Sequence, residues 1–272
     1  MDRFPDMNMI FDTHCHYDDS AFDEDREEVL SAFTEYGIGW ATDNASDRQS
    51  IDKVLALAEQ YPFLFCAAGI HPSELEGIDE SWMDAVSAAL DRDKTVALGE
   101  IGLDYHYDDG PDRETQKYWF VRQLDMALAK DMPVVIHSRD AAEDTLEIVK
   151  AYAAKGLHGV IHCFSYSREI AEAYVDMGFF IGVGGVVTYK NGRKLKETVA
   201  SVPMESIVIE TDCPYLSPEP FRGRRNSSLH LPYVVQAVAQ LRGISEEEVI
   251  RITCGNALRL YPKAAAYIEG SH

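Results

Sequence analysis

Short runs of apolar residues alternate with longer amphipathic stretches along almost the whole chain. Residues 9–16, 37–42, 63–70, 95–99, 133–136, 159–161, 179–183 and 207–209 read as strands. Most of these runs are continuously apolar rather than alternating, which implies burial on both faces, as in a parallel sheet. Between and after them, residues 23–36, 46–60, 80–90, 112–130, 141–154, 168–177, 192–202, 231–241 and 245–260 place apolar side chains at helical spacing, as at Ile51, Val54 and Leu55. Ser46 reads as a helix cap and Gly156 as a terminator. Eight strand–helix units in about 250 residues predict a (β/α)8 TIM barrel of class α/β. A doubly wound open sheet is the competitor, but no Gly-x-Gly-x-x-Gly turn follows the first strand, and Gly182-Val183-Gly184-Gly185 reads as close backbone packing at a barrel mouth. The expected organisation is an N-terminal extension over 1–8, one barrel domain over 9–264 and a C-terminal tail over 265–272, whose last four residues resemble an expression-tag remnant.

The chemistry lies in what ends the strands. His14 and His16 follow the first apolar run, Glu100 the fourth, His137 the fifth, His162 the sixth and Asp212 the eighth. Strand side chains at i and i+2 share a side, so His14 and His16 can converge on one point. In a barrel all carboxyl ends of the strands lie on one face, where active sites of this fold are built. Any one of these residues has an ordinary explanation, but six polar groups at strand ends need partners if they are buried together. Imidazole and carboxylate donors without thiolate suit Zn2+, Mn2+ or Mg2+. Glu100 can bridge two ions through its two oxygens, with His14, His16 and Asp212 around one, and His137 and His162 around the other. Such an ion acidifies water into a nucleophile, and Asp212 is placed to take its proton and later protonate the leaving group. Cys15, Cys163 and Cys213 adjoin these residues and are expected to point the other way as small packing residues.

Charge narrows the partners. A net charge of −21 disfavours a protein that coats nucleic acid with its general surface. The chain has no apolar stretch of membrane-spanning length, and residues 1–6 lack the basic and apolar regions of a secretory signal. Five scattered cysteines point to a reducing, cytoplasmic compartment.

Five segments together carry a resemblance: Phe11-Asp12-Thr13-His14-Cys15-His16, Gly99-Glu100-Ile101-Gly102-Leu103-Asp104-Tyr105, Pro133-Val134-Val135-Ile136-His137-Ser138-Arg139, His162-Cys163-Phe164-Ser165 and Glu210-Thr211-Asp212-Cys213-Pro214-Tyr215-Leu216. In this order they resemble the TatD family of metal-dependent deoxyribonucleases in the amidohydrolase superfamily, from about Met9 to Pro262. The resemblance implies the barrel, a divalent-metal centre of two ions, and hydrolysis of DNA phosphodiester bonds, 3'-5' exonuclease-like, on single-stranded or frayed ends. Family ligands carry over onto His14, His16, Glu100, His137, His162 and Asp212. His71 and Tyr105 match family positions near the pocket, as substrate contacts or as packing and capping residues.

The chain departs from the family after the eighth strand. The usual glycine and basic residues are present, but Arg222-Gly223-Arg224-Arg225-Asn226 runs into Ser227-Ser228 where the family has Glu-Pro. Arg222, Arg224, Arg225 and Asn226 are the expected substrate-binding residues of this loop, since arginine suits phosphate oxygens. Lys190, Arg193 and Lys194 add charge after the seventh strand. Two enzyme readings stay open: a nuclease, or a hydrolase of an amide or carboxyl ester, such as an amidohydrolase or a D-aminoacyl-tRNA deacylase, because one metal water attacks either phosphorus or carbonyl carbon. A non-catalytic metal-binding module is a third. Neither a membrane nor an obligate protein partner is expected.

Overall fold

A computed structural model describes residues 8–107 and 109–270. The expected N-terminal extension, apart from Asn8, lies outside the described residues, as do the final Ser271 and His272. The strands are β1 Ile10–Cys15, β2 Ile38–Asn44, β3 Leu64–Ala67, β4 Thr95–Asp104, β5 Val134–Arg139, β6 Gly159–Ile161, β7 Phe180–Val183 and β8 Ile207–Ile209. The helices are α1 Arg26–Ser31, α2 Arg48–Gln60, α3 Glu80–Leu90, α4 Arg113–Ala129, α5 Ala142–Ala153, α6 Arg168–Asp176, α7 Arg193–Ser201, α8 Leu231–Arg242, α9 Glu246–Leu260 and α10 Pro262–Gly270.

All eight strands pair in parallel in sequence order. The ring closes between its ends: Thr13 Oγ1 donates to the Ile209 carbonyl at 3.0 Å, and the backbones of Cys15 and Cys213 form a parallel β-bridge. The fold is therefore the (β/α)8 barrel, not an open doubly wound sheet. Phe11, Phe65, Ala67, Ala97, Val135, Val160 and Val208, from six different strands, form one buried cluster inside it. A larger apolar layer joins the strands to the surrounding helices.

Helix starts follow local chemistry. Asp47, Asp79, Asp112 and Ser245 each accept a backbone N–H from the first turn of α2, α3, α4 and α9, contacts typically worth about 1 kcal/mol each. Asp47 caps α2 in place of the expected Ser46, because its carboxylate reaches Ser50 N at 2.7 Å. Two larger differences from the sequence pattern concern β4 and the C-terminus. β4 runs five residues beyond the expected end, so Glu100 sits within the strand. The tail expected from residue 265 is instead part of α10, with Ala264 and Ile268 buried. Lys263 Nζ donates to the Leu90 and Arg92 carbonyls just before β4, which holds α10 across the amino end of the barrel. No helix among the described residues is long and apolar enough to cross a membrane.

Candidate metal centre

Barrel closure brings the two ends of the chain's chemistry together. Asp212 N donates to the His14 carbonyl at 2.9 Å, and His16 N to the Cys213 carbonyl at 2.9 Å. Asp212 is held at φ +55° by these contacts, a left-handed backbone that aspartate tolerates better than most residues. On the opposite wall the β4–β5 register shifts between Leu98 and Ile101, and such irregularities re-aim side chains. Gly102, at φ +147°, permits this: a Cβ there would lie 1.9 Å from the His137 carbonyl oxygen.

Glu100 lies at the centre. Its Oε2 is 3.3 Å from His14 Nε2 and 3.6 Å from His16 Nε2. Its Oε1 is 2.6 Å from His162 Nε2, 2.9 Å from His137 Nδ1 and 3.6 Å from His71 Nε2. Asp212 Oδ1 stands 3.4 Å from His16 Nε2 and 3.7 Å from His14 Nε2. Three groups of donor atoms lie within 4.8 Å of one another: His14, Glu100 and His162; His14, His16 and Asp212; and His71, Glu100 and His137.

The donor set fits a divalent cation on two counts. Imidazole nitrogens face each other, His14 Nε2 to His16 Nε2 at 3.0 Å and His137 Nδ1 to His162 Nε2 at 3.2 Å. A shared cation satisfies both lone pairs of such a pair, whereas a hydrogen bond needs one ring to donate. The rings are also oriented from behind. His16 Nδ1 lies 2.8 Å from the Asn44 carbonyl, which fixes its tautomer with Nε2 facing inward. His137 Nε2 lies 3.3 Å from Asp104 Oδ2.

Electrostatics polarise the cluster. Burial lowers His14 to about 4 and His71 to about 3, with neighbouring histidines adding to the effect. Burial also opposes the charge on His137, but its hydrogen bonds to Asp104 and Glu100 overcome it and raise that ring to about 9. Burial would raise Glu100 and Asp212, yet the surrounding histidines hold both carboxyls below their ordinary range.

Several residues that the sequence pattern did not single out complete the site. Asp104 adjoins His137, and its backbone is clamped by the α4 side chain of Gln116, whose Oε1 accepts Asp104 N and whose Nε2 donates to Asp104 O, both at 2.8 Å. Glu210 is buried under His162, 4.0 Å from its Nδ1, and accepts the Cys163 N–H. Gly182 makes room for that carboxyl: a Cβ would lie 2.4 Å from Glu210 Oε2.

Other expected site residues lie elsewhere. Of the two family-matched positions, His71 borders Glu100, but Tyr105 turns outward. Its hydroxyl donates to Asp144 at 2.8 Å, and Arg113 covers its ring, because the strand alternation that aims Asp104 inward aims Tyr105 out. Arg225 is paired with Asp25 and covers Phe22. Arg222 lies over Tyr189 at 4.2 Å. Arg224 is exposed and does not line the pocket. Asn226 is fully buried as a loop clasp, its Nδ2 donating to the Thr211 carbonyl at 3.0 Å and its Oδ1 accepting Ser227 N at 2.9 Å. Arg225 is thus paired with an acid, and none of the four residues lines the pocket. Ser228, where the family usually has glutamate-proline, anchors the loop instead. It donates to Asp12 Oδ2 at 2.6 Å and accepts the Tyr17 hydroxyl at 2.8 Å. Cys15 and Cys213 are buried as expected, but Cys163 borders the pocket, since β6 ends at Ile161 and φ +45° at Cys163 breaks the alternation.

An open pocket of about 710 Å³ stands over the cluster, lined by His16, His71, Glu100, His137, His162 and Asp212 among others.

Comparison with known proteins places the whole barrel. A metal-dependent hydrolase of Bacillus subtilis strain 168, YabD, whose own function is uncharacterized, is 39% identical over 256 residues, covering 93% of this chain and 99% of that protein. A protein of Erwinia tasmaniensis named 3'-5' ssDNA/RNA exonuclease TatD is 32% identical over 262 residues, covering 93% of this chain and 99% of its own. The crystal structure of YjjV, a TatD homologue from Escherichia coli K12, superposes with a TM-score of 0.88 at 34% identity, covering 94% of this chain and 99% of that one. With residues 11–262 matching the family described as TatD related DNase, the chain belongs to that family.

Proposed function

We propose that this chain is a metal-dependent hydrolase that cuts phosphodiester bonds at single-stranded DNA ends, as a 3'-5' exonuclease. The observation that carries the reading is Glu100 between two sets of histidines, one set on each carboxylate oxygen, with Asp212 beside the first set. His14, His16, Glu100 and Asp212 would hold one ion, and Glu100, His137 and His162 the other. Mg2+, Mn2+ and Zn2+ all suit these donors. When bound, such ions supply Lewis acidity, acidifying water near neutral pH and offsetting phosphate charge. The rest falls to the protein. Asp212, ionised and fixed through its own backbone to His14, accepts the proton of the attacking water and returns it to the leaving oxygen. Asn44 and Asp104 keep His16 and His137 turned toward the centre. The relative named as an ssDNA/RNA exonuclease supports a nucleic-acid substrate. Five free cysteines fit a reducing, cytoplasmic setting.

One observation favours a second reading, hydrolysis of an amide or carboxyl ester: the pocket's lining includes Asp18, Asp19, Glu74 and Asp104 against Arg139 as its one arginine or lysine among the described residues. The test is incubation of metal-loaded protein with end-labelled single- and double-stranded oligonucleotides beside a panel of amides and esters. Shortening of the single strand from its 3' end supports the nuclease. Turnover confined to amides or esters replaces it with the second reading.

A further inference from the structure

None of the loop arginines Arg222, Arg224 and Arg225 lines the pocket, so the question is what holds a single strand on a chain of net charge −21. The pocket's rim answers it with rings. Tyr107 and Tyr215 both line the pocket and are both 57% exposed, and Leu216 beside Tyr215 is exposed as well. Large rings left in water at the mouth of a site carry a cost unless a ligand covers them. Tyr107 is not alone. The Arg139 guanidinium lies 5.2 Å from its ring centroid, and Arg139 Nη1 donates to its hydroxyl at 3.3 Å. Arg139 stands two residues beyond His137 at the end of β5.

We infer that Tyr107 and Tyr215 are stacking platforms for unpaired bases at the strand end, and that Arg139 grips a phosphate beside them. The inference rests on the nuclease reading and names how that site selects its substrate. A base inside a duplex hides both faces in the stack, so these rings favour a single strand. Stacking on aromatic side chains tolerates any sequence and is worth about 1–3 kcal/mol per base. Because one arginine meets the phosphates, binding depends on salt only weakly, with a slope in log–log form of about −0.7 for one neutralised phosphate. A protein that tracked the backbone with its basic loops would show a slope several times steeper.

Steady-state hydrolysis tests it on the metal-loaded full chain. The substrates are a single-stranded oligonucleotide and the same strand ending in an abasic residue, over a range of salt. For the ordinary strand, Tyr107→Ala and Tyr215→Ala are each expected to raise KM about 5- to 150-fold with kcat nearly unchanged, while Tyr107→Phe keeps most of the affinity. For the abasic strand, wild type already shows the high KM and the alanine substitution nearest the missing base adds nothing. Arg139→Ala raises KM on both strands and flattens the salt dependence, and Arg139→Lys restores part of it. Unchanged KM in both tyrosine variants, or an equal penalty on the two strands from each of them, overturns the inference while leaving the nuclease reading intact. No hydrolysis of either strand by wild type overturns both.

Discussion

Asp212 has two jobs that geometry ties together: it faces His16 and His14, and it is the one carboxylate of the cluster beside the pocket on the β8 side. Replacing it with asparagine keeps the size and the backbone hydrogen bond to His14 but removes the base. Asp212→Asn is expected to lower kcat at least 100-fold with an unchanged circular-dichroism spectrum, and near-normal turnover removes Asp212 from the chemistry. Glu210 makes a different prediction. Burial raises it to about 8, against the opposing pull of His162 and the Cys163 N–H. Its pKa in the folded protein thus exceeds that of an exposed glutamate. The stability it contributes is whole below about 4.5 and is lost as pH climbs through 8. Metal-free protein should therefore melt at progressively lower temperature from pH 6.5 to 8.5. His137, raised to about 9, adds to the same decline. Glu210→Gln should make the decline shallower, by up to about 1.4 kcal/mol per pH unit. Parallel Tm profiles for the two proteins contradict the buried-acid account.

The elements show which parts of the site a sequence can reveal. The histidines are legible because strand alternation is local: an apolar run leading into His137 or His162 places the ring near the carboxyl end of its strand. Glu100 is legible although β4 does not stop there, since the apolar run over 95–99 breaks at it. Arg225 and Asn226 are placed by loop contacts that strand and helix periodicity does not carry. Arg225 meets Asp25, and Asn226 meets Thr211 and His230, contacts set by how the β8–α8 loop folds back. Glu210 was missed because a carboxylate at a strand end looks alike whether it faces the pocket or is buried behind it. Ser228 belongs to the same class: its value comes from Asp12 and Tyr17, more than two hundred residues away. Ser228→Ala leaves the buried Asp12 one donor short and removes the acceptor of the Tyr17 hydroxyl, which keeps only the backbone N–H of residue 228. It is expected to cost about 1–3 kcal/mol, read as a lower urea midpoint at unchanged slope. A loss under about 0.3 kcal/mol contradicts the anchoring role.

At the scale of the whole molecule, the number and order of strand–helix units were enough to give the barrel, because eight parallel strands joined by helices close on themselves. The closing helix α10 escaped the pattern: its alanine-rich start and short length give little periodicity, and its burial depends on the barrel floor it covers. Ring closure is also what turns six dispersed side chains into one site, so folding and metal binding are linked. An ion that binds only the folded chain raises its stability by about 2.7 kcal/mol at one hundred times its Kd. Chelator-stripped protein is expected to gain several degrees in Tm with Mn2+, and Glu100→Ala to gain far less. An equal gain in both locates binding elsewhere.

The account stands most directly on release of labelled nucleotide from a single-stranded oligonucleotide by stripped protein as Mn2+ is restored, with Asp212→Asn run beside the wild type. It predicts no release after stripping, release that returns with the ion in wild type, and none at any ion concentration in the variant. Digestion that persists after exhaustive chelation, or that the variant carries out as fast as the wild type, contradicts it.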